Sequence, residues 1–177
     1  MIVNNNEIYF AKVNEKGIIP SKKEEDAGYD IYACFEDDFF VINSFSTKAI
    51  PTGIASAFSK KYYVQIEERG STGKIGMKKS SGVIDSGYRG EWFIMTYNAN
   101  SKPLVVSKTQ ADDLSETFEA NGKTYSKAEV ILYPYSKAVC QAVLHEVPRL
   151  EVKEISFEEL QKIESERGAS CLGGSGK

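Results

Sequence analysis

The stretch Gly82-Val83-Ile84-Asp85-Ser86-Gly87-Tyr88-Arg89-Gly90 sets a carboxylate and an aromatic ring three residues apart between glycines. With apolar runs on both sides, it reads as a β-hairpin whose glycines supply positive φ and let the backbone approach a ligand closely. In that setting Asp85 is placed to act as a base and Tyr88 to stack on a ring. Alone, the segment reads equally well as an ordinary surface hairpin, because short motifs recur by chance. Its surroundings decide between the two.

Outward from this loop the apolar runs are short, rich in Val, Ile, Tyr and Phe, and separated by Gly, Pro, Ser, Asn and charged residues. That texture belongs to many short strands. Strands are expected at residues 7–13, 29–35, 39–42, 47–51, 62–67, 91–97, 104–107, 130–132 and 139–146, a spacing that suits an all-β barrel or jelly roll. The run Glu91-Trp92-Phe93-Ile94-Met95-Thr96-Tyr97 is nearly continuous in apolar residues and predicts a central strand buried on both sides. One short helix is expected near the C-terminus, where Ser156 and Glu159 form a capping box ahead of Leu160 and Ile163. Asn121-Gly122 signals a further hairpin inside an otherwise polar stretch, 98–135. Residues 167–177 have the glycine and serine content of a flexible tail.

A chain of 177 residues suits one domain with a proper core. We expect a single β domain over 1–166, with 98–135 as an inserted excursion and 167–177 as a glycine-rich lid. Cys34, Cys140 and Cys171 are odd in number, lack a CxxC and have no paired histidine, so neither a disulfide framework nor a zinc site is indicated. The net charge of -3 and pI near 5.4 argue against nucleic acid as the partner. The N-terminus has no signal-peptide pattern and no run reaches the length of a membrane span, so a cytoplasmic protein without membrane attachment is expected.

Two further glycine-punctuated loops carry polar chemistry. Asp26-Ala27-Gly28-Tyr29-Asp30-Ile31-Tyr32-Ala33 offers carboxylates that can orient a cation or an arginine. Glu68-Arg69-Gly70-Ser71-Thr72-Gly73-Lys74-Ile75-Gly76 offers amides, hydroxyls and cations for a phosphate, yet the first glycine is misplaced for a P-loop and Ile75 stands where one needs Ser or Thr. The single histidine, His145, lies in an expected strand, there is no GxSxG elbow, and Cys140 reads as an inert buried thiol. Any hydrolysis must therefore use a carboxylate base and phosphate clamping, with or without a metal.

Taken in order, these loops resemble the five motifs of trimeric dUTP diphosphatases (dUTPases), across nearly the whole chain. Residues Ala27 to Ala33 are similar to AGxDLxA, Arg69 to Gly73 to RSSxG, and Gly82 to Gly90 match GVIDxxYRG residue for residue. Pro51-Thr52-Gly53-Ile54 resembles the family's PTGI, Ala138-Val139-Cys140-Gln141-Ala142 echoes RIAQL, and residues 167–176 are similar to RGxxGFGSTG.

The resemblance implies a β jelly roll, a homotrimer with each active site shared by three subunits, and attack of water on the α-phosphate of dUTP to give dUMP and pyrophosphate. It assigns Asp85 to the catalytic water, Tyr88 to the deoxyribose, and the backbone of Gly82 and Val83 to the uracil edge. Arg69, Gly70, Ser71 and Gln141 fall at the phosphates with Mg²⁺, which the phosphates mainly hold and Asp30 reaches through water. Arg167, Leu172, Gly173 and Ser175 fall in the lid. Against the family pattern, Gly70 replaces a serine, Ala138 an arginine and Leu172 the phenylalanine that stacks on uracil. The long 98–135 stretch is similar to the insertion of some phage dUTPases, and it reads either as a solvated excursion or as a surface for a protein partner such as a repressor. A weakly catalytic, nucleotide-binding regulator is the alternative function. A dCTP deaminase fits less well, because Met95 stands where that enzyme has its glutamate.

Overall fold

A computed structural model of the chain describes residues 3, 4, 6–166 and 168. They form two compact units, Met1–Val147 and Pro148–Lys177. In chain order the first unit contains β1 (Ile8–Lys12), β2 (Gly28–Ile31), β3 (Phe39–Ile42), β4 (Thr47–Pro51), β5 (Ile54–Phe58), β6 (Tyr62–Glu67), α1 (Gly70–Lys74), β7 (Met77–Lys79) and β8 (Val83–Ile84). It continues with β9 (Phe93–Asn98), β10 (Leu104–Ser107), β11 (Thr117–Ala120), β12 (Lys123–Ser126), a 3₁₀ turn (Lys127–Glu129), β13 (Ile131–Pro134) and β14 (Cys140–Glu146). In the second unit α2 (Phe157–Gln161) starts at Ser156, whose hydroxyl accepts from the Glu159 amide while the Glu159 carboxylate accepts from the Ser156 amide. The capping box predicted from sequence is therefore present, and the helix it starts is short, as expected. No helix among the described residues is long and apolar enough to cross a membrane.

The strands pair in small sheets of order β2-β14-β6-β8, β4-β9-β7, β13-β10-β3, β1-β5 and β11-β12, all antiparallel except β10 with β13. The architecture is an all-β jelly roll, as expected. Pro51 and Pro134 fall in β4 and β13, which are edge strands, where a missing N–H breaks no ladder.

The four-stranded sheet shows why a short apolar alternation suffices to build a layer. Val64 and Ile66 of β6 and Cys140 and Ala142 of β14 point into the core, leaving Tyr63, Gln65, Glu67 and Gln141 on the other face. Trp92 is fully buried and meets Phe10 edge-on, with ring centroids 5.6 Å apart.

Two expectations change. The 91–97 run is a central strand, but β9 alternates: Phe93 is 47% exposed while Ile94, Thr96 and Asn98 are buried. The strand buried on both faces is β10, inside the stretch read as a polar excursion. Leu104 and Val106 pack into the main core, and Val105 packs the opposite way, with Val41, Leu114, Phe118 and Val130. So 98–135 is not simply a solvated loop. Its first and last thirds are framework, and only the β11–β12 hairpin between them stands apart, turning at Asn121 (φ 51°) and Gly122 (φ 70°) as the Asn-Gly signal predicts. Phe118 anchors that hairpin on Phe39, with ring centroids 4.5 Å apart.

The sequence also missed β5, β7 and β8. β7 and β8 are only three and two residues long, too short for alternation to show, and in β5 the buried Ser56 between half-buried alanines gives no apolar alternation to read.

Asn98 closes the end of β9. Its buried amide donates to the carbonyls of Ile42 (3.1 Å), Asn43 (3.1 Å) and Lys102 (2.9 Å), and its Oδ1 accepts from the backbone and side chain of Asn100. Substitution Asn98→Ala leaves several buried groups unpaired and is expected to cost about 3 kcal/mol in urea unfolding, against well under 1 kcal/mol for exposed Glu24→Ala.

Candidate active site

Directly opposed residues of an antiparallel pair share a face, so the register of the four-stranded sheet lays out the site in rows. One row runs Asp30 (β2), Gln141 (β14), Glu67 (β6), and the next, two residues along, runs Gly28, Val143, Gln65, Val83. Residues far apart in sequence thus become neighbours on the face turned away from the core.

Arg69 follows β6 directly and caps α1. Its backbone is fixed by Thr72, fully buried, whose hydroxyl accepts from the Arg69 N–H and donates to the Arg69 carbonyl, both at 3.0 Å. Its guanidinium forks onto Asp30, Nε to Oδ1 at 3.0 Å and Nη2 to Oδ2 at 3.3 Å, while Nη1 lies 3.5 Å from the Ala138 carbonyl. A two-point pair of this kind fixes the plane of the guanidinium as well as its position. Gln141 donates from Nε2 to the Glu68 carbonyl at 2.9 Å. It has room because position 28 is glycine: a Cβ there would sit 2.9 Å from Gln141 Oε1 and 3.1 Å from its Cβ.

Ser71, in α1, interacts with the hydroxyl of Tyr133, which the sequence did not single out. Tyr133 donates to the Ala138 carbonyl at 2.6 Å; burial pushes its phenol up from the ordinary value, opposed by Ser71 and Arg69. Gly70 has no atom within 4 Å of where a Cβ would stand, so the serine usual in the family is absent there without a steric reason. The 68–76 loop, expected as a polar turn, is thus a single helical turn whose buried threonine and arginine cap hold it. Cys140, on the core side of β14, has its thiol pushed up by burial, as an inert structural cysteine should.

The second group is the opening stretch. Gly82 accepts from the Ile66 amide at 2.6 Å, Val83 pairs with Gln65, and residues 85–88 make a turn closed by the Tyr88 amide on the Asp85 carbonyl at 3.0 Å. Asp85 is exposed, and Val83 and Tyr88 are 58% and 44% exposed.

The turn is not a hairpin of paired arms. β8 joins β6, whereas β9 joins β4 and β7, so the chain changes sheets across it. Nor do Gly82, Gly87 and Gly90 adopt positive φ. Gly82 and Gly90 are there for space instead: a Cβ at 82 would lie 2.9 Å from the Ile66 carbonyl, and one at 90 would lie 2.5 Å from the Tyr88 hydroxyl. Gly53 does take positive φ, at 66°, and its amide donates to Glu91 Oε1 at 2.8 Å, tying the 51–54 corner to the end of the turn.

Within the described residues, then, Asp30, Arg69, Ser71 and Gln141 form one cluster, and Gly82, Val83, Asp85 and Tyr88 another. Arg167, Leu172, Gly173 and Ser175 lie outside the described residues. No group of three or more His, Cys, Asp or Glu among the described residues could enclose a metal.

A family model, dUTPase, matches residues 14–111, more than half of the chain. The chain belongs to the dUTPase family. A deoxyuridine 5'-triphosphate nucleotidohydrolase of Nautilia profundicola is 29% identical over 170 residues, covering 94% of this chain and 96% of that one. The Pol polyprotein of caprine arthritis encephalitis virus is 37% identical over 100 residues, but this match spans 56% of the present chain and 9% of the polyprotein. Among solved structures, a dUTPase of Staphylococcus bacteriophage 80alpha with dUPNHPP superposes with a TM-score of 0.71 over 97% of this chain and 99% of its own, at 20% identity. The EIAV dUTPase does so with a TM-score of 0.58 over 85% and 98%, at 16% identity. Both likenesses are of fold.

The Gly28 contact makes a direct test. Gly28→Ala is expected to push the Gln141 amide off the Glu68 carbonyl, costing about 1 kcal/mol in thermal or urea unfolding and weakening tripolyphosphate binding by calorimetry. Unchanged binding would separate Gln141 from the anion site.

Proposed function

We propose that this chain hydrolyses dUTP to dUMP and pyrophosphate, as a dUTP diphosphatase. The observation that carries the reading is the row Asp30–Gln141 with Arg69 locked across it, which presents a fixed cation and an amide on the outer face of one sheet, while the sequence of the 82–90 turn keeps every residue of the deoxyuridine motif. In this reading Asp85 orients and deprotonates the attacking water, Tyr88 packs against the sugar and leaves no space for a 2′-hydroxyl, and the backbone at Gly82 and Val83 reads the uracil edge. Arg69, Gly70, Ser71 and Gln141 hold the phosphates. Arg167, Leu172, Gly173 and Ser175 belong to a lid over 167–177 that excludes bulk water on closing.

Mg²⁺ suits the donor set. This ion keeps several waters and is held by one or two carboxylates together with substrate phosphates, so a lone carboxylate such as Asp30 is enough on the protein side. When bound, it offsets the phosphate charge that Arg69 alone cannot neutralise.

The active species is a homotrimer in which the two clusters are completed by other copies. Val83 and Phe93, both well exposed, offer apolar surface for that contact. A protein partner on the β11–β12 hairpin is a secondary reading. It draws on the 80alpha phage dUTPases, described as controlling transfer of virulence genes by a proto-oncogenic G protein-like mechanism; the weakly catalytic regulator is not favoured.

The reading is tested by pyrophosphate release. The protein should sediment as three chains and turn over dUTP in strong preference to dTTP and UTP. Asp85→Asn should lower kcat by at least about a hundredfold, the usual scale for a positioned base. Full activity in that variant would remove Asp85 from its assigned role.

A further inference from the structure

Arg89 is the one charged residue of the 82–90 turn that has been given no task. Its Nη1 donates to three backbone carbonyls: Ser86 at 2.6 Å, Tyr88 at 3.0 Å and, across in β5, Ser56 at 3.4 Å. The first two belong to the crown of the turn that presents Asp85 and Tyr88, and the third belongs to a strand held in the β1–β5 ribbon. The side chain lies along that ribbon, beside Tyr9 and Phe10, at the edge of a shallow cavity of about 210 Å³. It is therefore a strap from an exposed turn to the framework.

We infer that Arg89 is a positioning residue that fixes the Asp85–Tyr88 turn for substrate, an inference that rests on the dUTP reading of this turn. The rest of the turn is poorly tethered on its crown side. One backbone bond, Tyr88 N–H to the Asp85 carbonyl, closes it, and a Cβ placed at Gly87 would meet open space. The far side is held separately, by Tyr88 Oη donating to the Glu91 carbonyl at 2.9 Å, with the ring folded onto Gly90. The Tyr88 ring is thus pinned at its hydroxyl and, through Arg89, at its own backbone carbonyl. Without the second point, the ring can pivot about the first and Asp85 moves with the turn. Nη1 carries two N–H groups to share among these carbonyls, and a charged donor bonds carbonyls more strongly than a neutral one.

The test uses Arg89→Met, which keeps the length and apolar stem, and Arg89→Lys, which keeps the charge. For Arg89→Met, kcat/KM for dUTP should fall roughly tenfold to a hundredfold, mostly in kcat, the scale of a small misplacement of a reacting group. The preference for dUTP over UTP should fall with it, and Arg89→Lys should recover part of both. A second measurement needs no turnover: amide exchange at Tyr88 should quicken at least tenfold in Arg89→Met (an order-of-magnitude expectation for loss of a local restraint), while the Trp92 amide, bonded to the Ile54 carbonyl at 2.9 Å, stays as in the parent. Unchanged Tyr88 exchange, or an equal rise in KM for both nucleotides with kcat kept, overturns the inference. Absence of dUTP turnover in the parent protein overturns the proposed function instead, and the exchange result still decides whether Arg89 holds the turn.

Discussion

The docking of β14 between β2 and β6 is the constraint from which the candidate site follows. This one strand, the last of the first unit, places Gln141 between Asp30 and Glu67, three residues from three distant parts of the chain. Its alternation makes the register strict. A slip of one residue would turn Cys140 and Ala142 toward solvent and drive Gln141 into the core, so core burial and site geometry are specified together. Arg69 then needs no long reach, because β6 ends beside this row and α1 turns the chain just where the guanidinium meets Asp30. The Asp30–Gln141 row is assembled by the final strand, while the 82–90 turn is held by β5, β6 and the 51–54 corner.

Much of the strand plan was readable because short runs rich in Val, Ile, Tyr and Phe are bounded by Gly, Pro, Ser, Asn and charged residues, as at β1, β6 and β14. What was not readable shares one physical cause: burial set by partners that a local window does not contain. β9 looked buried on both faces because Phe93, Met95 and Tyr97 are apolar, yet Phe93 stays 47% exposed among the described residues. β10 lay in a polar neighbourhood and is wholly buried, because the β11–β12 hairpin folds back to cover Val105 with Phe118 and Leu114. Thr72 read as a hydroxyl for a ligand, but it is consumed in holding the Arg69 backbone. Tyr133 gave no local signal, since its place beside Ser71 and Ala138 comes from the parallel pairing of β10 with β13 and the return of the chain to β14.

The glycines teach a related point. A glycine-rich motif suggests unusual φ, and at Gly53 and Gly122 that is the reason. At Gly28, Gly82 and Gly90 the backbone is ordinary and the demand is for volume: a side-chain amide, a carbonyl and a tyrosine hydroxyl each occupy the space a Cβ would take. Sequence shows where glycine stands but not which of the two demands it meets, and the demands fail differently on substitution. A Cβ at 53 strains the backbone itself, whereas one at 28 or 90 displaces a functional side chain and leaves the fold nearly intact.

Asp30 carries the remaining tension between sequence and structure. The family resemblance placed it near a metal, and the structure gives both its oxygens to Arg69. These roles are compatible by electron count, because a carboxylate offers about four lone-pair sites and the guanidinium takes two. What remains points away from Arg69 and can accept from water, which suits an ion that keeps its hydration. The same accounting applies to Arg69: Nε–H and one N–H of Nη2 are committed to Asp30, which leaves the second N–H of Nη2 and the two on Nη1, itself 3.5 Å from the Ala138 carbonyl, to meet a phosphate. An arginine at 138, usual in the family, would have added a second cation there. This chain has alanine, so among the described residues a phosphate held here would meet Arg69, which gains rigidity from Asp30 and, in doing so, commits two of its five N–H donors.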